Sequence, residues 1–227
     1  MTEMLEIAKK DEADYIRRRQ ELVNYLKKRG YIRSERVYAA MMDVPREKFV
    51  PYVNRKYSYA DTPLQIKGGQ TISAPHMVAE MCEVAELETG NNVLEVGAGS
   101  GYNAAVIAKL IFPGIVHSTD IVPSLALEAR KNLGSAGTKN VVVSEHDGST
   151  GLSEFAPYDR IIVTCASPGI PNPLVKQLAP NGLLVIPVGD RYLQTLIVVR
   201  KDEKGTITRE KRLGCVFVEM KGKHGFR

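Results

Sequence analysis

One stretch of nine residues constrains this chain more than any other. From Val93 to Gly101 it reads VLEVGAGSG, an apolar run that closes on alternating glycines at 97, 99 and 101. Valine and leucine in a short run favour a buried strand, and the glycines favour a tight turn with no Cβ in front of the backbone. The next run, Tyr102 to Phe112, is rich in alanine and aliphatic residues and predicts a helix. Strand, glycine turn and helix together expose N–H groups at the helix start. The unit predicts a pocket for a nucleotide.

The spacing narrows which nucleotide. A dinucleotide fingerprint, G-x-G-x-x-G, has its third glycine five positions after the first. Tyr102 stands there in this chain, and the glycine comes one residue early. Glu95 also lies inside the strand, where a diphosphate has no use for a carboxylate but a cationic ligand does. The pattern E-x-G-x-G-x-G resembles the first motif of class I S-adenosylmethionine-dependent methyltransferases, whose cofactor is a sulfonium with an amino-acid tail.

Later strands carry matching acids. Ile115 to Asp120 predicts a strand ending in an aspartate about 20 residues beyond the glycines, where an acid accepts ribose hydroxyls. The alternative for Asp120, next to Ile121, is a helix N-terminal charge ahead of Pro123. Asn140 to His146 predicts a third strand, followed by Asp147 and Gly148. That pair reads either as an ordinary turn or as the adenine contact of such methyltransferases. Tyr158 to Thr164 predicts a fourth strand.

A chain of 227 residues with 44% hydrophobic and 25% charged residues suits one α/β unit with a sizeable core. No apolar run is long enough to cross a bilayer, and residues 1–11 lack the layout of a secretory signal. Cys82, Cys165 and Cys215 are far apart and make no metal spacing, so no metal site is expected and reduced thiols in the cytoplasm are. A formal charge of +5 permits acidic partners without demanding nucleic acid.

Helical spacing over 11–29 places Ile16, Leu22, Val23 and Leu26 on one side, with Gly30 as the stop and Arg17 to Arg19 as a solvated face. Ser34 predicts the cap of a short helix carrying Val37, Ala40 and Met41. Residues 45–72 show no period and read as a functional segment. A helix from 74 carries Val78, Met81, Cys82 and Ala85. From 92 onward strands alternate with helices, including one from Asn172 to Asn181 and a buried strand from Leu183 to Val188. Leu196–Val199 and Gly214–Met220 read as a terminal antiparallel pair. The fold class expected is α/β: a Rossmann-like, mostly parallel twisted sheet with helices on both faces and N-terminal helices. Three segments are expected in one domain: 1–72 helical and substrate-loop, 73–190 cofactor-binding, and 191–227 C-terminal strands.

The segment Gly69 to Ala79 (GQTISAPHMVA) bears on the substrate. Its plain reading is helix capping, with Ser73 as N-cap, Pro75 in the first turn and His76 reaching back. In company with VLEVGAGSGYN, PYDRIIVT (157–164), PNPLVKQL (171–178) and LLVIPVG (183–189), it closely resembles the protein-L-isoaspartate O-methyltransferase family. Val78, where some of these proteins carry a second histidine, departs from the pattern.

The resemblance implies Ser73 as the active-site serine, steering a substrate carboxylate. It implies Gln70, Thr71, Ile72, Ser73 and His76 beside the cofactor crevice. Glu95, Gly97, Gly99, Gly101 and Asn103 would hold the methionine part of S-adenosyl-L-methionine, Asp120 and Ile121 the ribose, and Asp147 and Gly148 the adenine. Pro63, Leu64 and Ile66 would contact a damaged protein or peptide containing isoaspartate. Neither nucleic acid nor membrane is expected as a partner. Two rivals are a nucleic-acid methyltransferase and a non-catalytic cofactor-binding module. The former usually carries a D/N/S-P-P-aromatic turn after the fourth strand, where this chain has Cys165 to Gly169 (CASPG).

Overall fold

The structure is a computed structural model; it describes the backbone of residues 2–227 and side chains from residue 11. The reading of residues 1–11 as no secretory leader therefore lies almost wholly outside the described side chains. Leu22, Val23 and Leu26 form the buried stripe of α1 (Thr2–Lys28), and Gly30 follows with φ 78°. The helix starts before the expected residue 11, and Ile16 faces solvent. The arginine run divides. Arg17 and Arg18 pair on the surface with Asp14, whereas Arg19 is largely buried and donates to the Tyr59 hydroxyl (2.8 Å) and the Met42 carbonyl (2.9 Å). A charged side chain settles in such a place only where polar partners meet it.

Ser34 caps α2 (Glu35–Asp43), accepting from the Val37 N–H at 3.2 Å, and Val37, Ala40 and Met41 turn inward. Short 3-10 turns then lead to a small antiparallel hairpin, β1 (Leu64–Gln65) against β2 (Thr71–Ile72). Next comes α3 (Pro75–Val84), with Val78, Met81 and Cys82 buried. The alternation expected from 92 follows as β3 (Asn92–Val96), α4 (Tyr102–Ile111), β4 (Ile115–Asp120), α5 (Pro123–Ser135), β5 (Val141–Glu145) and β6 (Tyr158–Val163). The chain ends with α6 (Asn172–Lys176), β7 (Leu178–Gly189), β8 (Gln194–Lys201) and β9 (Ile207–Cys215).

The main sheet has seven strands in the order β5-β4-β3-β6-β7-β8-β9. β5 through β7 run parallel, and β8 and β9 add antiparallel. This is the Rossmann-like arrangement expected, with two boundaries moved. The helix from Asn172 stops at Lys176, and β7 already begins at Leu178, kinked by Asn181 at φ 61°. The last strand is the polar run from Ile207, not the apolar run to Met220. An edge strand has one free side and needs little apolar character; charges there also discourage pairing with another chain.

Side chains alternate across the sheet. Val93, Ile162, Val185 and Val198 join the core under α1 to α5, while Leu94, Ile161, Leu184 and Val199 join a smaller core under α6 and the turns near Leu152. Helical cover is thus heavy on one face and thin on the other. The glycine turn is held between layers: a Cβ on Gly101 (φ 86°) would stand 3.1 Å from Leu133 Cγ and 3.2 Å from the Ala129 carbonyl, both on α5. Gly101→Ala is expected to destabilise by about 2 kcal/mol or more, from left-handed strain plus crowding. Gly205→Ala has the same strain (φ 83°) with nothing within 4 Å of the new Cβ, so its loss is expected to be about 1 kcal/mol. Urea unfolding of both variants measures the difference.

Candidate active site

Parallel strands leave a crevice at their carboxyl ends. Here it is walled by the glycine turn, by Asp120 to Val122, by Gln70 to Ser73 and by Gly148 and Ser149. Residues 218–221 complete the wall. The glycine turn is tied down from both sides. Gly97 and Ala98 donate to the Thr119 carbonyl at 2.8 and 2.9 Å, and the Thr164 hydroxyl donates to the Gly97 carbonyl at 2.6 Å. No side chain fits at Gly97, where a Cβ would meet the Thr164 hydroxyl oxygen at 2.4 Å.

Asp120 ends β4 with its carboxylate at the crevice. It accepts from the Gly99 N–H and the Val122 N–H, both at 2.9 Å. Burial raises its pKa, and those two bonds oppose the rise. Glu95 lies behind the wall, fully buried, and accepts from the Asn103 amide (2.8 Å) and the Ser118 hydroxyl (2.5 Å). Burial pushes its carboxyl up to about 7, against the pull of the two hydrogen bonds. Asn103 itself is on the crevice wall and keeps a buried oxygen without a partner among the described residues. That oxygen suits a ligand donor such as an ammonium group.

Ser73 lines the crevice and is only half-buried. The capping reading does not hold, because the N-cap of α3 is Ala74, whose side chain makes no cap hydrogen bond. The Asp61 carboxylate instead takes the His76 N–H and the His76 ring nitrogen, both at 2.9 Å. The Ser73 hydroxyl makes no hydrogen bond among the described residues. Burial pushes the Cys165 thiol, also on the wall, up to about 12, which leaves it a poor nucleophile.

Ten of the expected site residues share this crevice: Gln70, Thr71, Ile72, Ser73, Gly97, Gly99, Asn103, Asp120, Ile121 and Gly148. The others stand apart from its wall. Glu95 is one layer back, Gly101 is spent on helix packing, and His76 is turned to Asp61 and to the Tyr31 ring. Asp147 accepts from Ser149 and from the Lys223 N–H (2.8 Å), so it ties down the C-terminal segment. Pro63 precedes β1, where Leu64 pairs with Ile72 and packs against the main core, and Ile66 lines the neighbouring cleft that shares Gly99. Sequence reasoning missed Thr164, and it read Val218 and Met220 as part of a terminal antiparallel strand rather than as crevice wall. The apolar alternation of 216–220 carried no signal for the difference.

Residues 17–225 match the family described as Protein-L-isoaspartate(D-aspartate) O-methyltransferase (PCMT). The chain belongs to this family. It is 54% identical over 199 residues to the protein-L-isoaspartate O-methyltransferase of Methanosarcina mazei, covering 87% of this chain and 82% of that one. Identity to the Hyperthermus butylicus protein-L-isoaspartate O-methyltransferase is 52% over 227 residues, covering 96% and 94%. Among solved structures, one described as a protein-L-isoaspartate O-methyltransferase from Plasmodium falciparum in complex with S-adenosyl-L-homocysteine superposes with a TM-score of 0.78 at 29% identity, covering 88% of this chain and 97% of that one. A second protein-L-isoaspartate O-methyltransferase structure gives 0.81 at 30% identity, covering 91% and 67%. Among the described residues no helix is long and apolar enough to cross a membrane.

The buried Glu95 gives the family member a pH signature. Its folded pKa, about 7, lies above the ordinary 4.5. Its contribution to stability is therefore full below about pH 4.5 and is lost as pH rises through about 7. Urea midpoints of the ligand-free protein should fall over that window more steeply than those of Glu95→Gln. Parallel profiles would contradict the assignment.

Proposed function

We infer that this chain is a protein-repair methyltransferase, moving a methyl group from S-adenosyl-L-methionine to the free carboxylate of L-isoaspartyl residues, and of D-aspartyl residues, in damaged proteins and peptides. The observation that carries the reading is the convergence of the Ser73 hydroxyl, the glycine turn and the Asp120 carboxylate on one crevice, in a chain of this family. Asp120 would accept ribose hydroxyls, and its carboxylate is already aimed by Gly99 and Val122. The unpartnered Asn103 oxygen, with Glu95 behind it, suits the amino group of the methionine part. The Gly148 backbone would border the adenine. Asp147 would act there through the chain it holds.

Bound S-adenosyl-L-methionine supplies a methyl group on a cationic sulfur. The chain itself need not provide a base, because a carboxyl with pKa about 3.3–3.9 is ionised at neutral pH. Its task is orientation, and alignment of reacting groups is worth on the order of 7–11 kcal/mol. In this reading Ser73 donates one hydrogen bond to a carboxylate oxygen and leaves the other oxygen for attack. A neutral hydroxyl steers the anion without the ground-state stabilisation of a lysine or arginine. The hairpin with Pro63, Leu64 and Ile66 would border the peptide. Once released, the methyl ester is attacked by the neighbouring backbone nitrogen, which closes a succinimide, loses its proton and expels methanol. A cytoplasmic setting belongs to the same reading, and the three buried free thiols are in keeping with it.

Incubation with methyl-labelled cofactor and an isoaspartyl peptide tests the reading. Base-labile, volatile label on the peptide is expected, and label on nucleic acid or binding without transfer would contradict it. Ser73→Ala is expected to lower kcat at least tenfold, about 1.4 kcal/mol, with little change in cofactor affinity. Asp120→Asn is expected to do the reverse, raising the cofactor Kd tenfold or more in calorimetry.

A further inference from the structure

Arg46 opens the short turn after α2, and its side chain is fully buried. Burying a guanidinium is expensive, and a carboxylate usually offsets it. No carboxylate pairs with Arg46 among the described residues. Its Nε donates to the Ser58 carbonyl at 2.9 Å, and its Nη2 donates to the Ser73 carbonyl at 2.8 Å. The guanidinium carbon stands 4.8 Å from the centre of the Tyr102 ring, a cation–π distance. Nη1 is buried with no hydrogen-bond partner among the described residues. A cation held at this cost by two carbonyls and a ring, with the Asp61 charge nearby but not in an ion pair with it, is not explained by packing.

What it joins is informative. Tyr102 is the residue after the glycine turn, and Tyr102 and Ser73 both line the crevice. Ser58 lies in the segment that leads to the hairpin. Ser73 has no capping bond of its own, and the Arg46 contact is the side-chain hydrogen bond that reaches its backbone. We propose that Arg46 is a positioning residue for Ser73: its planar fork clamps the Ser73 peptide against the start of α4 and so fixes where the serine hydroxyl points. A lysine carries its three donors on one compact nitrogen and cannot reproduce the planar fork that reaches both carbonyls. Displacement of a reacting group by about 1 Å can cost on the order of 100-fold in rate. The proposal rests on the reading of Ser73 above.

Four proteins test it: wild type, Arg46→Lys, Ser73→Ala and the double variant. Each is assayed for methyl transfer to an isoaspartyl peptide, well below its melting temperature, with kcat normalised to cofactor-binding stoichiometry. Arg46→Lys keeps the charge and loses the fork. It is expected to lower kcat at least tenfold while the peptide KM and cofactor Kd stay within about threefold. In the Ser73→Ala background the same change is expected to cost no more than about twofold, because the group being aimed is gone. An equal loss in both backgrounds, or no loss in either, overturns the positioning role. If the wild type labels no peptide, the functional reading falls and this proposal with it; if it labels peptide and the two substitutions are additive, only the role of Arg46 falls.

Discussion

The hydrogen bond from the Gly99 N–H to the Asp120 carboxylate, 2.9 Å long, joins the two strand ends on which the site is built. Asp120 closes β4 and Gly99 sits in the turn after β3, and these strands are neighbours in the sheet. The bond does two things at once. It holds a glycine turn that has few side chains to anchor it, and it aims a carboxylate at the crevice before any ligand arrives. Pre-aimed groups lose little freedom on binding, which is the economy of a preorganised site.

Around that bond the fold distributes its constraints unevenly. Five helices share the main core on one face of the sheet, and α5 locks the glycine turn through Gly101. The opposite face is thinly covered, and Gly148, Thr164 and residues 218–221 supply further parts of the wall. The C-terminal segment is nonetheless fastened. The Ala166 N–H donates to the Val218 carbonyl, the Met220 N–H donates to the Ala166 carbonyl, and Asp147 and Ser149 hold the backbone of Lys223 and His224. A crevice closed by backbone bonds of this kind is shaped by the chain path more than by individual side chains.

That distinction explains how much could be read in advance. The strand–glycine–helix unit, Asp120 and the Gln70–Ser73 run were legible because their chemistry is local: strand periodicity, glycine spacing and a family likeness each act within a few residues. The helix end at Lys176, the polar edge strand from Ile207 and the burial of Arg19 were not. Each depends on a partner far along the chain, and tertiary contacts override local preference. Asp147 is the sharpest case. An aspartate before glycine reads as a turn or a ligand acid, whereas its oxygens are engaged by Ser149 and by Lys223, 76 positions away. Arg46 carried no signal in the sequence at all; its role lies in two carbonyls and a ring that the fold brings to it.

The central claim is that the crevice works by alignment, with Asp120 holding the cofactor and Ser73 steering an anion that is already charged. A crystal structure with S-adenosyl-L-homocysteine and an isoaspartyl peptide tests it most directly. The account predicts the ribose hydroxyls on the Asp120 carboxylate and the isoaspartyl carboxylate accepting from the Ser73 hydroxyl, with its second oxygen facing the sulfur. A peptide carboxylate seated elsewhere, or an adenosyl group remote from Asp120 and Gly99, would contradict it.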